Sequence, residues 1–258
     1  MPGGEDDITL DEKRVYGDKS GATAVLVATD LGLVAASVSG DMVGEFGIER
    51  RGSVAVVAAD DRVAVAAEED VLVGDEETGF GPAVAVGVDG RTVLAADADG
   101  RVGRYDGAWE TVGEVGDPKR FDGNLLAADG VYRVGDDCTY SGLDDVTDVA
   151  SAVPLAATHD AVYRLGNGWM DEREGDFSVV ASDGIRTHGV CDGDLVARPA
   201  PGEWVRDEIP TDDEVVDVAY TPDAVVAVTA TGTMLVEGGA GWRPHELGVR
   251  GVRSLAVE

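Results

Sequence analysis

VYRVGDDC at residues 131–138 and VYRLGNGW at 162–169 correspond position for position, and this match sets the period of the chain. Trp109 has the same approach in VGRYDGAW (102–109), so Cys138 stands in a slot that tryptophan fills on either side. Trp204 in APGEW (200–204) and Trp242 in GAGW (239–242) likewise follow a glycine-bearing turn. Phe80 in EETGF and Met42 in SGDM are the expected equivalents further back. Positions 42, 80, 109, 138, 169, 204 and 242 are then separated by 38, 29, 29, 31, 35 and 38 residues. Seven units follow, and a repeat of this length is the mark of a solenoid or a propeller.

Within a unit the apolar residues fall in short alternating or fully apolar runs broken by turn dipeptides, the pattern of strands and hairpins. Residues 82–117 read as four such runs, PAVAVGVDG, RTVLAADADG, RVGRYDG and AWETVGEVGD, which we letter a to d. The first two runs of a unit are almost pure valine and alanine, as expected of strands buried on both faces near an axis. Four short antiparallel strands per unit predict an all-β fold, a seven-bladed β-propeller. The unit at 23–49 has runs b, c and d but no good a, and the chain ends in GVRSLAVE (251–258), which has the look of an inner strand. The C-terminal run is therefore expected to complete the first blade and leave no bare edge at the axis. KRVYG (13–17) is the rival for that place. The whole chain, 1–258, is expected to be one domain with a mobile acidic arm over residues 1–12.

Fifty-one acids face twenty bases, for a net charge of −31, and only Lys13, Lys19 and Lys119 are lysines. With 44% hydrophobic residues this is not the composition of a disordered chain. It suits the cytosol of a very salty cell, where surface repulsion is screened within about 3 Å at 1 M salt. Nucleic acid is not an expected partner, because no basic stripe exists to neutralise phosphates. The start lacks the apolar region of a signal peptide, and no run approaches the length of a membrane helix. Two cysteines make no disulfide framework. The expectation is a soluble, cytoplasmic protein, monomeric apart from a protein partner.

These stretches also carry a resemblance. VATDLGLV (27–34), DVLV (70–73) and the repeated VYR are similar to an uncharacterised family of haloarchaeal β-propeller proteins. More distantly the chain resembles tryptophan-aspartate and kelch propellers, without the Gly-His and Trp-Asp pairs of the former or the recurring double glycine of the latter. The resemblance implies a fold and a habitat and no activity.

Candidates for chemistry are few. Arg104, Arg133 and Arg164 each precede the tryptophan slot by five residues, with Arg198 a looser fourth, and are expected to serve as structural ion-pair partners. His159, His188 and His245 fall in different units, and HGVC (188–191) puts His and Cys on opposite faces of one strand, so no metal site is expected. No cofactor is expected either: GFGPAV (79–84) lacks the third glycine and the helix of a dinucleotide fingerprint. The one contrast in charge lies in the segments that lead into inner strands: ERRG (49–52), DPKR (117–120) and VRGVR (249–253). They predict a basic island of Arg50, Arg51, Lys119, Arg120, Arg250 and Arg253 on one face, either for an acidic partner or anion or as a local salt-bridge network. The expected function is a non-enzymatic interaction scaffold; the alternative is an enzyme or small-anion sensor at the channel mouth.

Overall fold

The computed structural model describes residues 22–60, 62–239 and 241–258; the acidic arm and the rival strand KRVYG lie outside them. These residues form seven four-stranded antiparallel sheets arranged as a propeller, with no helix among them. Blade 1 takes residues 23–51 and 254–257, blade 2 takes 54–77, blade 3 takes 85–114 and blade 4 takes 120–142. Blades 5, 6 and 7 take 146–174, 177–206 and 215–246. The innermost strands, in blade order, are Ser254–Val257, Val54–Ala59, Ala85–Asp89, Arg120–Asp122, Val146–Ala150, Phe177–Ser182 and Val215–Tyr220.

The ring closes as its missing inner strand predicts. Ser254–Val257 pairs antiparallel with Thr23–Thr29, placing Val257 opposite Val25 and Ser254 opposite Ala28. The pairing puts both sides of Thr23–Thr29 in ladders, since Gly32–Ser39 occupies its other edge. All inner strands run in one direction, so the connections into them share a face with the turns between second and third strands. Arg253, entering blade 1, accordingly bonds Asp30 in such a turn at 2.6 Å. The turns after inner strands gather on the opposite face, where the Gly90 N–H donates to Asp60 across two blades.

Small residues are a packing requirement near the axis. A Cβ added to Gly87 of blade 3 would lie 2.5 Å from the Cβ of Phe121 in blade 4. Valine, alanine and leucine fill the spaces between blades, as in the cluster of Val25, Val27, Val34, Val226, Val228 and Met234 between blades 1 and 7. Turns after second strands reuse one device: Thr29 and Thr158 accept backbone N–H groups two and three residues on and donate to a carbonyl three residues on. Asp97 takes the same place in blade 3, accepting from Asp99 and Arg101. Such side-chain turns compete with strand propagation and end it.

Six of the seven repeat positions lie at the start of an outermost strand. Met42, Trp109, Cys138 and Trp169 each open the outermost strand of their blade, and Trp204 and Trp242 are the second residues of theirs. Phe80 does not. The outer strand of blade 2 is only Glu76–Glu77, and Phe80 lies beyond it, 4% exposed, with its ring 4.5 Å from that of Trp109. The reason is Asp70, whose carboxylate accepts the N–H groups of Val71, Gly79 and Gly81 at 2.7–2.8 Å. That clamp folds the chain back early and drops Phe80 between blades 2 and 3.

Candidate functional site

Along the axis runs a channel of about 250 Å³, lined by residues of all seven inner strands. Its throat holds one cation and two buried acids. Arg120 of blade 4 reaches across the axis to Asp217 of blade 7 at 2.7 Å and stands 3.6 Å from Asp148 of blade 5. Pairing places Arg120 opposite Ala127, Asp148 opposite Ala157 and Asp217 opposite Val228, the same step of each blade's first hairpin. The three side chains therefore meet at one level.

The acids also hold backbone. Asp148 accepts the N–H of Val149 in its own strand and of Val180 in the next blade, both at 2.9 Å. Asp217 repeats this with Val218 at 2.9 Å and Leu255 of the C-terminal strand at 2.8 Å. At the corresponding step Ser254 Oγ accepts the N–H of Val57 at 3.1 Å. Arg120 completes the set by donating to the carbonyl of Arg253 at 3.4 Å. Burial penalises the charged guanidinium, but Asp217 and Asp148 beside it hold its pKa above the ordinary value. Burial pushes Asp148 up to about 7 against the pull of Arg120, in keeping with the longer of the two arginine distances. Deeper in the channel Asp122 accepts the N–H of Ser151, and burial raises its pKa as well.

The six basic residues of the expected island are thus divided. Arg120 is inside the throat. Arg253 is paired with Asp30 at 2.6 Å, Lys119 with Asp117 at 3.3 Å and Arg50 with Asp75 at 3.3 Å. Arg51 and Arg250 are exposed and make no ion pair among the described residues. Arg50 and Arg51 border a cavity of about 160 Å³ that Glu68, Glu69, Asp70 and Glu77 also line. Those acids counter any attraction for an anion there.

The recurring arginines divide too. Arg104 bonds Glu110 at 2.9 Å and, across to blade 4, Asp136 at 2.6 Å. Arg164 and Arg198 share the buried Glu172, which ties blade 5 to blade 6 at 2.6–2.7 Å. Arg133 is exposed and makes no ion pair among the described residues. Opposite it stands Thr139, where Arg104 faces Glu110. The next blade offers the turn Gly166–Asn167–Gly168 in place of an acid.

One feature of the opposite face gave no sequence signal beyond a single letter. In the turn after the inner strand of blade 6, Ile185 is 93% exposed. The turn under it is fixed: Asp183 accepts the N–H groups of Ile185 at 2.9 Å and Arg186 at 2.6 Å. Arg186 in turn donates to the carbonyls of Thr221 and Ala224 in blade 7 and lies over the Tyr220 ring at 4.9 Å.

The family model described as "Beta-prop_HVO_0234:-like, beta propeller" matches residues 9–258. The chain belongs to this family. Membership in the HVO_0234-like propellers agrees with the resemblance carried by the VYR repeats, and the match extends past the C-terminal closing strand. No curated protein sequence matches the chain. Among solved structures it is similar to the computationally designed Ika8 protein, at 14% identity and TM-score 0.61, covering 91% of this chain and 90% of that one. The nidogen/laminin complex contains a chain matched at 11% identity and TM-score 0.58, covering 91% and 98% respectively. YCF48 bound to D1 peptide matches at 12% identity and TM-score 0.57, covering 90% and 86%. At such identities the likeness is one of fold.

Proposed function

We propose that this chain is a non-enzymatic protein-interaction scaffold of a high-salt cytoplasm, contacting its partner through the face that carries Ile185. The observation that carries this reading is the Ile185 turn. Single surface hydrophobes are common and need no explanation. Ile185 differs in being held out by a turn bolted to two blades, so presenting it to a partner orders little further. A net charge of −31 favours a partner whose rim around that anchor is basic. Two of the similar structures are a nidogen/laminin complex and YCF48 bound to D1 peptide, an analogy of fold and no more.

The test is affinity capture from lysate held at molar potassium chloride, with the parent protein, Ile185→Asp and a double reversal Arg51→Glu/Arg250→Glu. Expected is a stoichiometric partner lost with Ile185→Asp and kept with the double reversal, while all three proteins melt alike. Loss with the arginine reversal alone moves the contact to the opposite face. Recovery of the protein alone, together with heat stabilisation by a small anion, replaces the scaffold with a sensor or enzyme.

A further inference from the structure

Each inner strand has one edge in a ladder and the other turned to the axis, so alternate residues aim their N–H groups into the channel. Converging N–H groups make an electropositive concavity of the kind that binds anions. In the throat five such groups, those of Val57, Val149, Val180, Val218 and Leu255, come from five different blades. Every one of them is met by an oxygen of the chain itself, four of them by Asp148 and Asp217. We infer that the throat is an anion-binding ring of backbone N–H groups which the chain occupies with its own Asp148 and Asp217 carboxylates, and that this internal ligand latches the C-terminal strand.

The latch half of the inference follows from where the bonds fall. Ser254–Val257 has four residues and pairs with a single neighbour. At the throat it acquires three further ties: its Leu255 N–H to Asp217, its Ser254 Oγ to Val57, and the adjoining Arg253 carbonyl to Arg120. Blade 7 before it, blade 2 after it and blade 4 across the axis therefore all hold the strand that closes the ring. Arg120 is the shared counter-charge, and without it two carboxylates would face each other at one level. A carboxylate suits the site because one group can satisfy two N–H donors on adjacent blades, which a hydroxyl such as Ser254 does for only one.

Chemical rescue tests both halves. Asp217→Ala removes the acceptor of Val218 and Leu255 and the nearer ion-pair partner of Arg120; formate, a carboxylate with no side chain, is the probe. Expected is a melting temperature lowered by roughly 5–15 °C, raised again by sodium formate in a saturable manner. The parent and Asp217→Asn, whose amide still fills the space, should not share that response. Hydrogen exchange of the peptide spanning residues 250–258 should accelerate at least about tenfold in Asp217→Ala, while blade 3 is unchanged. An Asp217→Ala protein that melts like the parent overturns the inference. So does formate acting equally on all three proteins, or exchange accelerated uniformly round the ring. Should Asp217→Ala fail to fold in plain buffer, refolding yield with and without formate decides: dependence on formate supports the ring, independence overturns it.

Discussion

His188 stands on the second strand of blade 6, 7% exposed, with its Nδ1 3.1 Å from the hydroxyl of Tyr220. Burial lowers its pKa from 6.5 to about 4, outweighing the pull of Asp207 at 3.8 Å. Between those two values the unfolded chain takes up a proton that the fold refuses. Stability contributed by His188 is thus whole above pH 6.5 and is lost as pH falls toward 4, by up to about 3 kcal/mol. Urea unfolding of the parent and His188→Gln at pH 7.5 and 4.5 checks this, because the difference between the two proteins should shrink or reverse at the lower pH. Parallel profiles would refute it. Glu172 gives a second residue-scale prediction: Glu172→Ala strands the buried Arg198 and should cost about 3 kcal/mol, whereas Arg133→Ala should stay within about 0.5 kcal/mol. Arg104, Arg133 and Arg164 look alike in sequence, and Arg198 is a looser fourth. What separates Arg133 is the residue opposite and the turn of the next blade, neither of which a motif centred on the arginine contains.

At the scale of elements the sequence was most legible where a strand had room to be regular. In blade 3 the four runs read from residues 82–117 are the strands Ala85–Asp89, Thr92–Ala96, Arg101–Tyr105 and Trp109–Glu114. Blade 2 departs from the expected repeat at its outer edge because Asp70 binds backbone nine and eleven residues ahead, a contact that strand period cannot register. The charge pattern of the entering segments says nothing of the burial of Arg120, since the partners Asp148 and Asp217 come from other blades. Inner strands carry a further demand that composition only hinted at. Gly87→Ala should cost about 1–3 kcal/mol by pressing on Phe121. Gly47→Ala, on an outer strand with open space around the added methyl, should be neutral or stabilising by about 0.5 kcal/mol. Thermal melts of the two variants decide the matter, and equal losses would mean that blade spacing near the axis is not limiting.

For the molecule as a whole, the question is what the exchanged strand contributes to a ring whose blades already pack face to face. Each blade touches its neighbours mainly through valine, leucine and alanine, with a buried apolar cluster at every one of the seven junctions. Only blade 1 is built from both ends of the chain, so opening the ring between blades 7 and 1 requires breaking a strand ladder as well as a packed face. A circular permutant that joins Glu258 to Met1 and begins at Asp212, in the connection between blades 6 and 7, keeps every residue and interrupts none of the strands. It makes each blade contiguous and leaves the 6–7 junction with no strand ladder, closed by its packed face and the hydrogen bonds of Arg186 and Tyr220. This permutant should fold, yet melt more than about 5 °C below the parent. Its earliest hydrogen exchange should move from Ser254–Val257 in the parent to the faces of blades 6 and 7. Equal melting temperatures would mean that face-to-face packing suffices and that the shared strand serves folding order more than stability. A permutant lower in melting temperature, but still opening first beside Ser254–Val257, would instead place the weak junction at blade 1 irrespective of connectivity.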